Sequence, residues 1–399
     1  MTGRPVLPFA LPDITKQEID AVVEVLQSSW LTTGRQVRAF EEEFAGRVGA
    51  RHAVALNSCT AALHLALEAL GVGPHDLVYV PTYTFAATAE VVRYLGAIPV
   101  LVDVDPVTLN LDLESLESVV ASDRSGSRGR PKAVIPVHMA GVPCNMKRLW
   151  DLARSYGLAV VEDAAHAFPA SRDAIATGWM PDDVPGAVCF SFYATKTITT
   201  GEGGMLTTQS EQLAERVRTM SLHGLSRQAW NRYADGGSWR YDVVAPGFKY
   251  NMTDIAAALG RVQLTRADSM GRRRAEIADR YTSALTGLPV QPPVVPEGVS
   301  SPWHLYILRT AAGIAGGRDR MISLLRSAGI ATSVHFIPLH QHSYYRRTFG
   351  YRRDDFPVAS AEFERALSLP IYSAMSDADV DRVVDAVRSA VSTATGGGA

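Results

Sequence analysis

Four clusters of polar or reactive residues each follow a short apolar run, at the position where a buried β-strand would end. The clusters are Asn57–Ala61 (NSCTA), Pro81–Phe85 (PTYTF), Glu162–His166 (EDAAH) and Ser191–Lys196 (SFYATK), the last of which leads into a glycine-rich run (GEGG) at 201–204. Ligands of open α/β sheets bind beyond the carboxyl ends of the strands. These clusters are therefore candidates for one binding site.

Lys196 is the candidate nucleophile of the fourth cluster. Only five of the 39 basic residues are lysines, namely Lys16, Lys132, Lys147, Lys196 and Lys249. A lysine held at the end of a buried strand loses contact with water, which lowers the pKa of its amine and makes it nucleophilic. The glycines that follow permit a close approach of backbone to a ligand. The alternative is a lysine exposed in a loop, which is the usual position of this residue type.

The other clusters each permit a structural as well as a functional interpretation. A hydroxyl at Ser58 or Thr60, at the start of a predicted helix, fits either an anion site or a helix N-cap. Asp163 fits either a partner for a cationic ring nitrogen or a helix cap, with His166 as a packing histidine. An aromatic such as Phe85 fits either a surface for ring stacking or the protein core.

The four clusters together match one ligand better than any of them does alone. They offer an anion site, a carboxylate, an aromatic face and an amine. Pyridoxal 5′-phosphate (PLP) has a phosphate, a cationic ring nitrogen, a planar ring and an aldehyde that accepts an amine. The combination therefore predicts a PLP site in which Lys196 forms the Schiff base.

The elements that must position these clusters are indicated by alternating patterns between about residues 50 and 210. Apolar runs predict strands at 52–56, 77–81, 99–105, 133–138, 158–163, 187–192 and 204–208, and helical patterns lie between several of them, as at 61–70 and 146–157. Alternating strands and helices predict the α/β class, with a mixed, mostly parallel sheet sandwiched by helices.

A long helical pattern at 253–285 leads out of this region into a smaller α/β region. In the smaller region we expect strands at 304–310 and 331–336 and helices at 319–329 and 377–391. The predicted division is a large PLP-binding domain with an N-terminal arm at residues 1–252, followed by a linking helix and a small C-terminal domain at residues 253–399.

The composition disfavours several other classes of protein. The 399 residues carry a formal net charge of −2, so nothing favours nucleic acid, and no apolar run is long enough for a signal peptide or a membrane span. The three cysteines match neither a disulfide framework nor a metal site, which favours the cytoplasm. We expect no metal, because His335, His340 and His342 lack a metal-ligand spacing. No Gly-x-Gly-x-x-Gly run follows a strand, which argues against a nicotinamide enzyme.

Motifs in a fixed order along nearly the whole chain, from about Leu7 to Val391, resemble the DegT/DnrJ/EryC1/StrS family of sugar aminotransferases. The motifs are NSCTAALHLAL, PTYTFAAT, VDVD, EDAAHA, FSFYATKTITTGEGG, LHG, FKYNMTD and VHFIPLH. The resemblance implies the aspartate aminotransferase-like fold of PLP enzymes (fold type I), PLP as the cofactor, and a homodimer with shared active sites.

The resemblance also implies roles for particular residues. Lys196 would form the internal aldimine and would then act as the acid–base group of turnover through the pyridoxamine phosphate form. Asp163 would pair with the pyridinium nitrogen, Phe85 would stack on the ring, and His166 would lie near the ring hydroxyl. Contacts with the phosphate would come from Thr60, Ala61, Ser191 and the partner subunit's Asn251. For the last residue, a cap of the helix at 253–285 is the alternative.

The walls of a nucleotide-sugar site would come, by the same resemblance, from Trp230–Tyr250 and His335–Tyr345. The residues implied to contact the substrate are Tyr193, Lys249, Tyr250, His335 and Tyr345. Some members of the family have histidine where this chain has Tyr193, three residues before the lysine. The sugar preference therefore stays open.

The reaction implied is transfer of an amino group from L-glutamate to a nucleotide-linked keto sugar. The run TITTGEGG after Lys196 favours C4 of a dTDP-4-keto-6-deoxyhexose, which would supply an amino sugar to an antibiotic-type natural product or a glycan. The alternatives are a 3-keto-sugar or cyclitol aminotransferase of the same fold and a PLP-dependent sugar dehydratase. Such dehydratases have histidine in place of the lysine, so Lys196 argues against that alternative.

Overall fold

The computed structural model describes residues 5–226, 241–312 and 314–396. Strands β1 to β13 are His52–Leu56, Asp76–Pro81, Ile98–Val102, Arg130–Val134, Ala159–Asp163, Ser171–Arg172, Ile175–Ala176, Gly186–Ser191, Gly204–Thr208, Val290–Gln291, Val299–Ser300, Tyr306–Thr310 and Ala366–Leu369. Helices α1 to α12 are Lys16–Gln27, Arg35–Val48, Cys59–Ala69, Ala87–Tyr94, Leu113–Asp123, Met146–Tyr156, Glu211–Ser221, Asp254–Leu285, Gly317–Ser327, Ser343–Phe349, Pro357–Arg365 and Asp377–Ala394.

Seven strands form the main sheet, in the order β1-β9-β8-β5-β4-β2-β3. The four pairs from β8 to β3 are parallel, whereas β9 is antiparallel to both of its neighbours. The predicted α/β class with a mixed, mostly parallel sheet is confirmed. The seven strands predicted between residues 50 and 210 are all present, and their ends differ from the predicted ends by four residues or fewer.

Burial on both faces explains the continuous apolar runs of the central strands. Every residue of β2 and of β5 is buried. In β2, Val78 and Val80 pack with helix α3 on one face, and Leu77 and Tyr79 pack with helix α6 on the other. Because successive side chains of a strand point to opposite faces, one apolar run serves both layers of helices.

The smaller sheet differs from the prediction in one strand. Its order is β10-β12-β13 and both pairings are antiparallel, so the predicted strand at 304–310 is present as β12. The predicted strand at 331–336 is wrong. Its Ser333 forms a single bridge to Ser368, and the next residues leave the sheet to line a cavity described below. Strand β13 was missed because four residues directly after a helix give no separate strand signal.

Helix α8 is the predicted long helix, and it contributes to two hydrophobic cores. Its first half packs with α2 through residues such as Ala257 and Met270, and its second half packs with β12 and α12 through Ile277 and Tyr281. The predicted domain boundary at residue 252 precedes this helix and stays a prediction. Within the described ranges, no helix is long and apolar enough to cross a membrane.

Asp254, the first residue of α8, caps the start of helix α2. Its carboxylate accepts hydrogen bonds from the backbone N–H groups of Gly34 (2.8 Å), Val37 (3.0 Å) and Gln36 (3.3 Å). Gly34 supplies no capping side chain of its own. A β-carbon at Gly34 would lie 2.6 Å from the Asp254 carboxylate, so the close approach requires glycine. A buried acidic group at a helix N-terminus satisfies N–H groups that have no partner in the helix.

Replacing this cap should destabilise the whole chain. We expect Asp254→Ala to lower the free energy of unfolding by about 3 kcal/mol, because three N–H groups at the start of α2 lose this acceptor. Urea unfolding followed by circular dichroism measures the change. The matched control is Asp20→Ala, which removes an exposed ion pair with Lys16 and should change stability by less than about 0.5 kcal/mol. Equal effects of the two substitutions would contradict the capping role.

Candidate active site

An open cavity of about 380 Å³ lies where the four polar clusters meet, at the carboxyl ends of β1, β2, β5 and β8. Each cluster contributes side chains to the wall, and the part of the chain after residue 300 contributes three more. The lining residues include Ser58, Cys59, Thr60, Thr84, Phe85, Asp163, His166, Ser191, Tyr193, Lys196, Glu202, Gly203, His304, His335 and Phe336. The sheet therefore brings together clusters that lie far apart in the sequence.

Asp163 ends strand β5 and presents a buried carboxylate to the cavity. One oxygen accepts the hydroxyl of Thr88 at 2.9 Å, and the other accepts the N–H of Ala165 at 3.2 Å. The Thr88 hydroxyl is also 2.9 Å from that of Thr84. Burial raises the pKa of Asp163, and the hydrogen bonds and the nearby Lys196 act in the opposite direction. The carboxylate oxygens retain lone pairs that can accept a further, cationic donor.

Lys196 lies in the turn after β8 and is half-buried. Its backbone N–H donates to the carbonyl of Tyr193 at 2.9 Å, and its Nζ lies 3.5 Å from Nε2 of His304. Burial lowers the pKa of the amine to about 8, and the nearby Asp163 acts against a larger fall. The amine is therefore partly uncharged near neutral pH, and the uncharged form is the one that attacks a carbonyl carbon.

Three histidines line the cavity beside Lys196. The rings of His166 and His304 lie 4.5 Å apart, and burial followed by the charge of Lys196 lowers the pKa of both far below the ordinary value. His335 has its Nδ1 2.9 Å from the hydroxyl of Ser368, and burial lowers its pKa to about 4. All three rings are therefore neutral near pH 7 and contribute no positive charge to the cavity.

The start of helix α3 forms a polar part of the wall. Ser58 caps the helix by accepting the N–H of Ala61 at 3.1 Å. Ala61 does not line the cavity, and its predicted contact with the phosphate stays a prediction. Cys59 and Thr60 do line it, at the helix end where N–H groups and the dipole attract an anion. A β-carbon at Gly204 would lie 2.4 Å from the Ser58 carbonyl, so glycine permits β9 to approach.

The groups in the cavity fit PLP. The buried carboxylate of Asp163 suits a protonated ring nitrogen, the Lys196 amine suits the aldehyde, and the start of α3 suits the phosphate. Phe85 is 60% exposed, so its ring is available to cover a planar ligand. Ser191 accepts the N–H of Tyr193 at 3.3 Å, and both residues line the cavity. The role of each residue toward the cofactor stays a prediction.

Three of the predicted residues lie outside the cavity of their own chain. The amide of Asn251 donates to the hydroxyl of Thr33 at 2.8 Å, and its oxygen accepts the amine of Lys249 at 2.5 Å. Asn251 does not cap helix α8, because Thr253 does so, and that alternative is wrong. Lys249 is exposed and Tyr250 is half-buried, and neither lines the cavity.

Two further predictions concern the proposed walls of a sugar site. Tyr345 is 3% exposed and packs in the core beside Phe349, so its predicted contact with substrate is wrong. Of the wall predicted at Trp230–Tyr250, residues 230–240 lie outside the described part of the chain.

His340 bonds to the hydroxyls of Thr82 (2.7 Å) and Ser360 (3.0 Å). Among the described residues, no group of three or more His, Cys, Asp or Glu side chains could hold a metal ion.

Sequence reasoning missed two residues at the site, namely Thr88, which holds Asp163, and His304, which lines the cavity. Thr88 could have been found, because it follows Thr84 at helical spacing and both hydroxyls face one side. Phe336 was covered by the wall predicted at His335–Tyr345, and it lines the cavity with its ring centroid 5.8 Å from that of Phe85. His304 lies 108 residues from Lys196, and nothing local in the sequence marks it.

A mixed sheet with a buried carboxylate and a lysine of lowered pKa at its carboxyl edge defines the class: a PLP-dependent transferase of fold type I. The sequence matches the DegT/DnrJ/EryC1/StrS aminotransferase family over residues 12–388. It is 50% identical over 388 residues to the spore coat polysaccharide biosynthesis protein SpsC of Bacillus subtilis, covering 96% of this chain and 97% of SpsC.

Solved structures give the same assignment. A Streptococcus pneumoniae protein described as a sugar aminotransferase, Spr1654, superimposes in its PMP form with a TM-score of 0.89, at 34% identity and over 98% of both chains. Its PLP form gives 0.88. S. venezuelae DesV gives 0.86 at 32% identity, over 97% of this chain and 99% of DesV. The chain belongs to the DegT/DnrJ/EryC1/StrS aminotransferase family, and it is a PLP-dependent sugar aminotransferase.

Cofactor uptake should report the lowered pKa of Lys196. When the cofactor-free chain is mixed with PLP, the rate at which the aldimine band replaces the absorbance of free PLP should rise with pH and reach half its maximum near pH 8. The sign follows because raising the pH through the pKa converts the amine to its reactive, uncharged form. An ordinary lysine, with a pKa of about 10.4, would require a much higher pH. Lys196→Ala is the control and should not convert the absorbance of free PLP into the aldimine band. A half-maximum near pH 10 would contradict burial of the amine.

Proposed function

We propose that this enzyme transfers the amino group of L-glutamate to C4 of a dTDP-4-keto-6-deoxyhexose, giving a dTDP-4-amino-4,6-dideoxyhexose. The observation that carries the proposal is the pairing, in one open cavity, of a lysine with a pKa of about 8 and a buried aspartate. Amino transfer needs an amine that can lose and regain a proton near neutral pH and a fixed negative charge beside the cofactor ring.

The two residues have separate tasks in this proposal. Bound PLP supplies an aldehyde that takes up the amino group and a ring that spreads negative charge. The negative charge of Asp163 would favour a proton on the ring nitrogen, and hydrogen bonds from Thr88 and Ala165 fix the orientation of its carboxylate. Lys196 would accept the proton from the carbon that carries the amino group and return it to the carbon on the other side of the nitrogen, two bonds away, which its intermediate pKa allows in both directions.

The choice of a sugar as acceptor rests on the open side of the cavity and on the relatives. Phe85 and Tyr193 are 60% and 47% exposed, so both offer aromatic surface to a large substrate. The name of SpsC refers to polysaccharide biosynthesis, which favours a glycan over a natural product as the destination of the amino sugar. The preference for C4 rests on the TITTGEGG run, and a 3-keto sugar or a cyclitol remains the second candidate.

We also propose a homodimer with shared active sites. The side chain of Asn251 lies outside the cavity of its own chain and already bonds to Thr33 and Lys249. In the proposed dimer, this group reaches the phosphate of the other chain's cofactor. Lys249 and Tyr250, which flank it, would then contact the substrate in that same site.

An absorbance assay tests the amino transfer and the position on the sugar. Adding L-glutamate to the yellow holoenzyme should bleach the visible band, and a dTDP-4-keto-6-deoxyhexose should restore it. Under equal conditions a 3-keto isomer should restore the band at least tenfold more slowly. Lys196→Ala should bind the cofactor without the covalent change and should not turn over. Faster recovery with the 3-keto sugar would show that the enzyme aminates C3 instead of C4. If glutamate does not bleach the band, glutamate is not the amino donor.

Mixing two variants tests the shared sites. Lys196→Ala and Asn251→Ala should each be nearly inactive at limiting PLP. After the subunits are exchanged, the mixed dimer has one site with both residues intact, so about a quarter of the sites should be active. Size-exclusion chromatography establishes that the dimer is present. Recovery of no activity, together with a dimeric elution volume, would contradict the placement of Asn251 in the partner's site.

A further inference from the structure

A histidine outside the predicted site lies directly against the amine of Lys196. Nε2 of His304 is 3.5 Å from Lys196 Nζ, and the histidine is only 6% exposed. Its other ring nitrogen, Nδ1, is buried and has no hydrogen-bond partner within the described chain. A buried polar atom without a partner costs stability, so its presence in a folded protein needs an explanation.

The backbone that carries His304 is held in an unfavourable conformation. Trp303 has φ of +50°, a region that bulky residues avoid. Its N–H donates to the hydroxyl of Ser301 at 3.1 Å, and its carbonyl accepts Arg274 at 3.2 Å. Arg274 is 3% exposed and also donates to the carbonyl of Ile371 at 2.8 Å. A buried cation from helix α8 thus fixes the peptide group immediately before the histidine, and the strain is maintained by its surroundings.

The charges around the pair determine which form of the ring is present. The other titratable groups acting on the amine or on the ring are Cys59, Asp163, His166, Arg274 and His335. Burial first, and then the charge of Lys196, hold the pKa of His304 well below its ordinary value, so the ring is neutral. The amine carries hydrogens in both of its forms, so the favourable tautomer has its lone pair on Nε2 and its hydrogen on Nδ1.

We infer that His304 is a positioning residue whose Nε2 accepts a hydrogen bond from the Lys196 amine and holds the amine in the cavity whenever it is not bonded to the cofactor. The strained Trp303 and the unpartnered Nδ1 are both explained by the need for the ring to reach this one atom. A free lysine side chain otherwise samples many rotamers, and the contact restricts them. The inference rests on the proposed role of Lys196.

The contact also has a consequence for proton affinity. An ammonium donates a stronger hydrogen bond than a neutral amine does, so an acceptor at this point favours the charged form. Burial lowers the pKa of Lys196, and we expect the hydrogen bond to His304 to oppose that fall. Without the acceptor, the amine would lose its proton at a lower pH and would be a weaker base toward the substrate carbon.

Competitive acetylation of the full-length, cofactor-free chain measures this effect on the amine itself. Trace acetic anhydride is added across a pH series, and the labelling of each lysine peptide is quantified by mass spectrometry. The chain has only five lysines, so Lys196 is resolved from the rest. In His304→Leu, we expect the half-labelling pH of Lys196 to fall by roughly one unit. His304→Gln keeps an acceptor at the position of Nε2 and should retain the parent value.

Two controls separate positioning from a general loss of structure. His340→Gln alters a buried histidine that does not line the cavity, and it should leave the Lys196 profile unchanged. Thermal unfolding checks that each variant is folded. If His304→Leu does not fold, His304→Asn replaces it, because the asparagine side chain is too short to reach the amine.

An unchanged profile in both His304→Leu and His304→Asn would overturn the inference, and so would a fall in His304→Gln as large as that in the leucine variant. The titration uses neither cofactor nor sugar. Its result is therefore independent of whether the proposed reaction is correct.

Discussion

The placing of a half-buried lysine beside a buried aspartate, at the same edge of one sheet, is the constraint on which the rest of the structure depends. Burying either charge alone would cost much free energy. Burial favours the neutral form of each group, so it raises the pKa of Asp163 and lowers the pKa of Lys196. Strands β5 and β8 are parallel neighbours, so their carboxyl ends deliver Asp163 and Lys196 to the same cavity. Two layers of helices cover the sheet and keep solvent from the strands.

The small sheet and its flanking segments complete the cavity from the other end of the chain. His304, His335 and Phe336 all come from beyond residue 300, and they add aromatic surface without adding charge. Because the imidazoles are neutral, the amine has no cationic histidine beside it that would depress its proton affinity further. The chemistry of the lysine is thus set jointly by a strand end of the large sheet and by side chains from the smaller region.

The sequence predicted the main sheet and the four clusters because both signals are local. An apolar run marks each strand, and the reactive residues stand directly after it, as Asp163 does after β5. A contact between segments that are distant in the sequence has no local pattern, so His304 was not predicted. Local capping decided between two open alternatives: Ser58 caps helix α3, and Thr253 rather than Asn251 caps helix α8. Tyr345 was expected at the substrate from the resemblance alone, and it packs in the core.

The cap that Asp254 provides for helix α2 has a consequence during synthesis on the ribosome. The acceptor lies 220 positions after Gly34, so the start of α2 remains without it while the intervening chain is made. At typical elongation rates of about 5–20 residues per second, that interval is roughly 10–45 s. Strand β1 likewise waits for its neighbour β9, more than 140 residues later. The nascent N-terminal part therefore exposes apolar surface for many seconds, which makes it a substrate for chaperones that act early in translation.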